Sequence, residues 1–230
     1  MAAALVLWIT FDKNTKQLPQ TEDLSTPKVQ RALSGVTVCI DPGHGGYDGG
    51  AVGKNSGVME KALNLQLSQK LQSLLKDSGA EVILTRSSDI ALASEGDERK
   101  RRDLQARVDA AQGADVFISL HMNEYADRSQ SGPQVFYTRG DENSRLLAGA
   151  MQKYMNELLS PARPRSANTG DYYVLRNQSI PAVLVECGFL SNAEEEQKLQ
   201  TEDYQWQVAQ SIHAGLCEFL RVGQSLAIDR

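Results

Sequence analysis

The chain has 230 residues, 41% hydrophobic and 23% charged, which suits one soluble, well-buried domain with little length left for a second. A formal net charge of −5 argues against a nucleic-acid binder that works through a basic face. The three cysteines (Cys39, Cys187, Cys217) are odd in number and widely spaced, which excludes a disulfide framework and a CxxC zinc pattern. They read as small buried apolar residues.

The first ten residues, MAAALVLWIT, are apolar, too short to span a bilayer, and lack the basic front of a signal peptide. They read as the remnant of a trimmed signal or anchor, the alternative being a frayed terminal segment, followed by a polar tether over 11–34. From residue 35 onward strands and helices alternate. GVTVCIDPG (35–43) is a β-branched strand ended by a Pro-Gly turn. The stretch 59–79 carries Leu63, Leu67, Leu71, Leu74 and Leu75 at helical spacing, with Gly79 as its stop. AEVILTR (80–86) is a second buried strand. The charge run EGDERKRRD (95–103) reads as a solvated loop, the alternative being a basic lip for an acidic peptide or a partner. A helix over 102–114 leads into a third strand, DVFISLHMN (115–123). SGPQVFYT (131–138) contains Pro133 and so reads as an edge strand. A long helix follows over 142–160, then GDYYVL (170–175) and PAVLVECG (181–188) as strands, and one or two closing helices. The pattern predicts a single α/β domain over 35–226, phosphorylase/hydrolase-like. Its mixed, mostly parallel sheet carries helices on both faces.

In such a sheet the loops leaving the C-terminal strand ends line the ligand crevice. His44 follows the first strand, His121 ends the third, and Glu186 ends PAVLVE. Glu60 opens the first helix, three residues before Leu63 and seven before Leu67, hence on the core-facing stripe. Two histidines and two carboxylates thereby converge on one edge. His44, Glu60 and His121 match a His₂Glu zinc set with an open position, and Glu186 is placed to act as the base. Singly, His44 reads as a turn residue and His121 as a satisfied core histidine. Their joint placement with two glutamates raises the site reading. His213, four residues before Cys217, reads as a packed or surface histidine. Asn64, one turn after Glu60, and Asn123, two after His121, are candidates to orient a ligand or meet substrate. Arg86, at the end of the second strand, is placed to meet a substrate carboxylate or other substrate oxygen, or to pair with Asp41 or Asp89.

Other chemistries fit less well. The third position of a GxGxxG loop is Asp48, and no Gly-Lys-Ser/Thr ending is present for a P-loop. A thiol hydrolase would need Cys187, but strand alternation turns it away from the side that Glu186 faces. A metal-free binding module would not need a general base.

IDPGHGGYDGGAVG, MEKALNLQLSQKLQSLL, VILTRSSD, RVDAAQGADVFISLHMN and PAVLVECGFLSN, in this order, resemble the zinc-dependent N-acetylmuramoyl-L-alanine amidases of the bacterial cell wall (amidase_3 type). The resemblance runs from about residue 35 to the C-terminus. It implies an α/β fold around one Zn²⁺ per chain on His44, Glu60 and His121, with Glu186 catalytic. It also implies cleavage of the amide joining the lactyl group of muramic acid to L-alanine, a zinc peptidase acting on a stem-peptide bond being the runner-up. The size, single domain and SSDIALASEGDERKRRDLQARV stretch are most similar to the CwlD-like spore-cortex amidases. That subgroup implies a peptidoglycan substrate, a lipoprotein activator, and a deacetylase that completes muramic-δ-lactam formation before germination. It also implies export beyond the cytoplasmic membrane, into the forespore cortex space, with anchoring through the N-terminal segment.

Overall fold

The computed structural model describes residues 32–228, so segment 1–10 and all but the end of the 11–34 tether lie outside the described residues. At that end Leu33 is fully buried and donates its N–H to the Ser78 carbonyl at 3.0 Å. The elements in chain order are β1 (Thr37–Pro42), α1 (Glu60–Asp77), β2 (Glu81–Leu84), α2 (Arg99–Ala110), β3 (Val116–Asn123), β4 (Gln134–Tyr137), α3 (Glu142–Leu159), β5 (Asn168–Thr169), α4 (Tyr173–Arg176), β6 (Ala182–Phe189), α5 (Ala193–Leu199) and α6 (Glu202–Ile228). Among the described residues no helix is long and apolar enough to cross a membrane.

One six-stranded sheet runs in the order β2-β1-β3-β6-β4-β5. The first four are mutually parallel, β4 is antiparallel to β6, and β5 runs parallel to β4. The sheet's faces differ because strand residues alternate sides. Val38, Ile40, Ile118, Leu120, Val183, Val185 and Cys187 join the main core with the leucine stripe of α1 and with α3 and α6. Cys39, Phe117, Ala182 and Leu184 form a smaller core with Leu104, Val174 and Leu175. This second face is thinly covered, by α2 and one turn of α4. Continuing its parity along the strands reaches Asp41 on β1, Ser119 and His121 on β3, and Glu186 on β6. His121 and Glu186 are direct register partners, so both project from the thin face at the C-terminal edge.

Four local expectations change. β2 is not a buried strand: it is the outer strand beside β1, with Glu81 exposed and Val82, Ile83 and Leu84 only partly buried, because among the described residues nothing pairs with its far side. β4 is not an edge strand: it lies between β6 and β5, and Pro133 sits just before its first residue, where no ladder N–H is required. GDYYVL is not a strand: residues 173–176 make one helical turn, α4. That turn buries Val174 and Leu175 together on the thin face, which strict alternation would forbid, while Tyr172 packs edge-on against Phe136 at 5.5 Å. The charge run is loop only to Glu98, a left-handed residue, after which α2 begins three residues earlier than expected. Its charges enter the helix because Asp103 and Arg107 are buried as an i,i+4 pair, 2.9 Å apart.

α3 and α6 approach so closely that a Cβ on Gly215 would lie 2.5 Å from the Met151 Cα. Gly215→Ala therefore lowers stability by about 1–3 kcal/mol in urea unfolding, although alanine is the better helix former.

Candidate metal centre and active site

The first strand hands the chain directly to the site. Beyond Pro42, His44 takes φ +62°, a left-handed conformation that side chains other than glycine seldom adopt. Such a residue costs about 1–3 kcal/mol and persists only when its surroundings over-determine it. A tight turn follows, closed by Gly45 N–H to Asp48 O at 2.9 Å and the reciprocal bond at 3.2 Å. The turn aims the His44 ring back over the strand ends, with Nδ1 3.0 Å from Asp48 Oδ1.

Glu60 enters from the first turn of α1, 3% exposed. Its Oε1 lies 3.1 Å from His44 Nε2 and 2.9 Å from His121 Nδ1, and accepts the Met122 N–H at 3.0 Å. Oε2 accepts the Ala51 N–H at 2.8 Å. The imidazole centroids are 4.9 Å apart at 75°. Crowding explains two glycines. A Cβ on Gly43 would fall 2.3 Å from the His121 ring, and one on Gly50, itself at φ +67°, 2.4 Å from Glu60 Oε2.

The donor atoms of His44, Glu60 and His121 lie within 4.8 Å of one another, the one such cluster among the described residues. Among the described residues no lysine or arginine forms an ion pair with Glu60. Burial opposes its charge, but hydrogen bonds from His121 and His44 outweigh that and hold its carboxyl far below the usual range. Burial also works against a charged His121, and the Glu60 carboxylate overcomes it, raising the imidazole pKa. Three donors converging without a fixed counter-charge fit a divalent cation with affinity for nitrogen and oxygen.

Beside His121, Glu186 is 9% exposed and its Oε2 has no hydrogen-bond partner among the described residues. Burial pushes this carboxyl up to about 7, an effect that His121 partly offsets and Glu60 reinforces. Glu186 borders a cleft of about 380 Å³ that also exposes His44, His121, Tyr172, Lys100 and Asp171. A poised carboxyl beside a three-donor cluster, in a cleft, is an arrangement suited to activating water against a carbonyl.

The model of the N-acetylmuramoyl-L-alanine amidase family matches residues 38–218. The chain belongs to this family. The amidase is 36% identical over 193 residues to the germination-specific N-acetylmuramoyl-L-alanine amidase of Bacillus subtilis, covering 81% of each protein. Among solved structures it resembles the CwlD amidase of Clostridioides difficile in complex with the GerS lipoprotein, at 34% identity and TM-score 0.78. That match covers 81% of this chain and 99% of the other. It also resembles the catalytic domain of CwlV from Bacillus (Paenibacillus) polymyxa, at 38% identity and TM-score 0.72, covering 81% of this chain and 99% of that one. The single mixed α/β domain matches the architecture of these neighbours.

The remaining residues singled out in the sequence take varied positions in the amidase. Asn64 is fully buried and donates from Nδ2 to Gly43 O at 3.1 Å and Glu60 Oε1 at 3.3 Å. Arg86 reaches neither the cleft nor Asp41 nor Asp89. It is buried and donates to the carbonyls of Pro42, Gly43, Lys61 and Ser88. Asp41 is taken by Arg107, and Asp89 by Lys61, at 2.7 and 2.8 Å. Asn123 lies beyond a register irregularity at the end of β3, its carbonyl bound to Leu190 N, away from the cleft-lining residues. His213 Nε2 meets Ser78 Oγ at 2.7 Å, and Cys217 Sγ lies 3.7 Å off. Cys187 is fully buried in the main core, opposite to Glu186. Arg107 and the tyrosine wall of the cleft escaped sequence reasoning. The i,i+4 spacing of Asp103 and Arg107, and an aspartate inside the apolar strand CIDP, were the signals available.

The raised Glu186 pKa fixes a sign. Its contribution to stability is full below the ordinary carboxyl value of 4.5 and is lost as pH rises through about 7. Glu186→Gln, which removes the buried charge, should therefore stabilise the metal-free protein at pH 8 by on the order of 2 kcal/mol, with little change at pH 4.5. Thermal melts at the two pH values measure this. Gly43→Ala should displace the His121 ring and weaken retention of a divalent cation at least tenfold, read by chelator competition.

Proposed function

We propose that this amidase is a zinc hydrolase that cleaves the bond between the lactyl group of N-acetylmuramic acid and L-alanine of the stem peptide. The observation that carries the reading is the unpartnered, buried Glu186 carboxyl on the same face as His121, beside a three-donor cluster. His44, Glu60 and His121 would hold one Zn²⁺. When bound, the ion would polarise the scissile carbonyl and acidify a water. Glu186 takes the proton of the attacking water and returns it to the departing L-alanine nitrogen. Its environment suits both transfers, since a carboxyl poised near 7 neither holds nor sheds a proton too firmly at neutral pH. Asn64 keeps Glu60 and the Gly43 peptide in place, Arg86 fixes the loop behind them, and Asn123 supports the end of β3. The cleft beside Glu186, with Tyr172, Lys100 and Asp171 on its walls, receives the peptide side of the bond.

A role in the spore cortex, stripping stem peptides ahead of a deacetylase that completes the lactam, is supported by the likeness to the germination-specific amidase. A lipoprotein activator is supported by the likeness to an amidase solved in complex with a lipoprotein. Both would place the enzyme outside the cytoplasmic membrane.

Purified wild type should carry about one zinc and release stem peptides at L-alanine from peptidoglycan. Glu186→Gln should retain the zinc and lose roughly 10²–10⁴-fold in kcat. Metal analysis and product mass spectrometry decide it: a variant that stays fully active removes Glu186 as the base, and a wild type without zinc removes the metal.

A further inference from the structure

The three peptides that carry the chain from β1 to His44 have every carbonyl held by a buried side chain. Pro42 O accepts Arg86 Nε at 2.9 Å and Arg107 Nη1 at 3.0 Å. Gly43 O accepts Arg86 Nη2 at 2.9 Å and Asn64 Nδ2 at 3.1 Å. Among the described residues the His44 carbonyl is reached by Arg107 alone, from Nη2 at 2.8 Å. Arg107 is itself fixed, by Asp41 Oδ1 at 2.7 Å and by Asp103 Oδ2 at 2.9 Å. Asp41 in turn accepts Thr85 Oγ1 at 2.6 Å and Ser119 Oγ at 2.8 Å. The other oxygen of Asp103 accepts the N–H groups of Leu92 and Ala93, at 2.6 and 3.2 Å.

We infer that Arg107 is a positioning residue for the metal centre, locking the left-handed His44 peptide so that its imidazole is aimed at Glu60 and His121 before any ion arrives. This rests on the zinc reading above and adds to it a residue that acts through a ligand. Arg107 borders the cleft, but its guanidinium is turned to two carboxylates and two carbonyls, and it is through the His44 carbonyl that it bears on the metal centre. Its planar fork is required. A lysine would keep the charge, but it could not span Asp103, Asp41 and the His44 carbonyl in one geometry. The same network ties loop 88–98 and α2, the wall that carries Lys100, to the ligand loop. Displacing that wall would therefore loosen His44. The charge run noted in the sequence thus ends in the brace of the metal site.

The test compares zinc affinity, by competition with a chelator, and apo-protein stability in wild type, Arg107→Lys, Asp103→Asn and Leu147→Ala. Leu147 is a fully buried core residue on α3, so its variant controls for lost stability alone. Arg107→Lys should bind zinc about 10–100-fold more weakly, as for other residues that orient ligands. With zinc in saturating excess its kcat should return to near the wild-type value. Asp103→Asn should shift in the same direction by less, and serves if the lysine variant does not fold. Leu147→Ala should lose stability yet keep wild-type zinc affinity. Wild-type affinity in both Arg107→Lys and Asp103→Asn overturns the inference and leaves the zinc reading intact, as does an equal loss in Leu147→Ala. A wild type that binds no zinc overturns both.

Discussion

A carboxylate buried between two imidazoles, ion-paired to no lysine or arginine among the described residues, is the constraint on which the rest of this active-site edge depends. Glu60 keeps its charge because His44, His121 and two backbone N–H groups all point at it. That convergence forces Gly43 and Gly50, since a methyl at either place would overlap the ring or the carboxylate. It also bears on Glu186, whose carboxyl is raised first by its own burial and further by the Glu60 charge, with His121 partly offsetting both. Environment thus separates a glutamate held in its charged form from one poised near neutrality.

The asymmetry of the sheet explains where this can happen. The thick side, with α1, α3 and α6, is packed with aliphatic residues. On the thin side the apolar floor ends after Cys39, Phe117 and Leu184. The next residues of the same parity are Asp41, Ser119, His121 and Glu186. α2 covers this polar step with a paired Arg107 in place of apolar side chains. A buried ion pair of this kind adds little net stability over a hydrophobic substitute, but removing one partner is costly. What the pairing adds is direction: a guanidinium fixed by two carboxylates can hold a carbonyl, and so a strained residue, in one orientation.

Much of this was legible before any coordinates. The leucine spacing of α1, the apolar runs of β1, β3 and β6, and the placement of His44, Glu60, His121 and Glu186 at strand ends or a helix start are local patterns. They place four functional groups at one sheet edge because strand ends in a parallel sheet share an edge. GDYYVL and the Pro133 segment misled for one shared reason. Short stretches do not encode their neighbours, and whether Val174 and Leu175 alternate or sit together depends on the face that receives them.

The sequence by itself determined the class of the fold, the edge bearing the site and the donor chemistry of the site, because periodicity and strand-end position are properties of a few adjacent residues. Only the tertiary structure decided which charges meet. Arg107 and Asp41 are 66 positions apart, and Arg86 had two plausible carboxylates and takes neither. Burial makes such pairings decisive, since an unpaired charge there is far costlier than on the surface. Which partner lies within reach is set by the packing of α2 against the sheet, which no local pattern in the chain records.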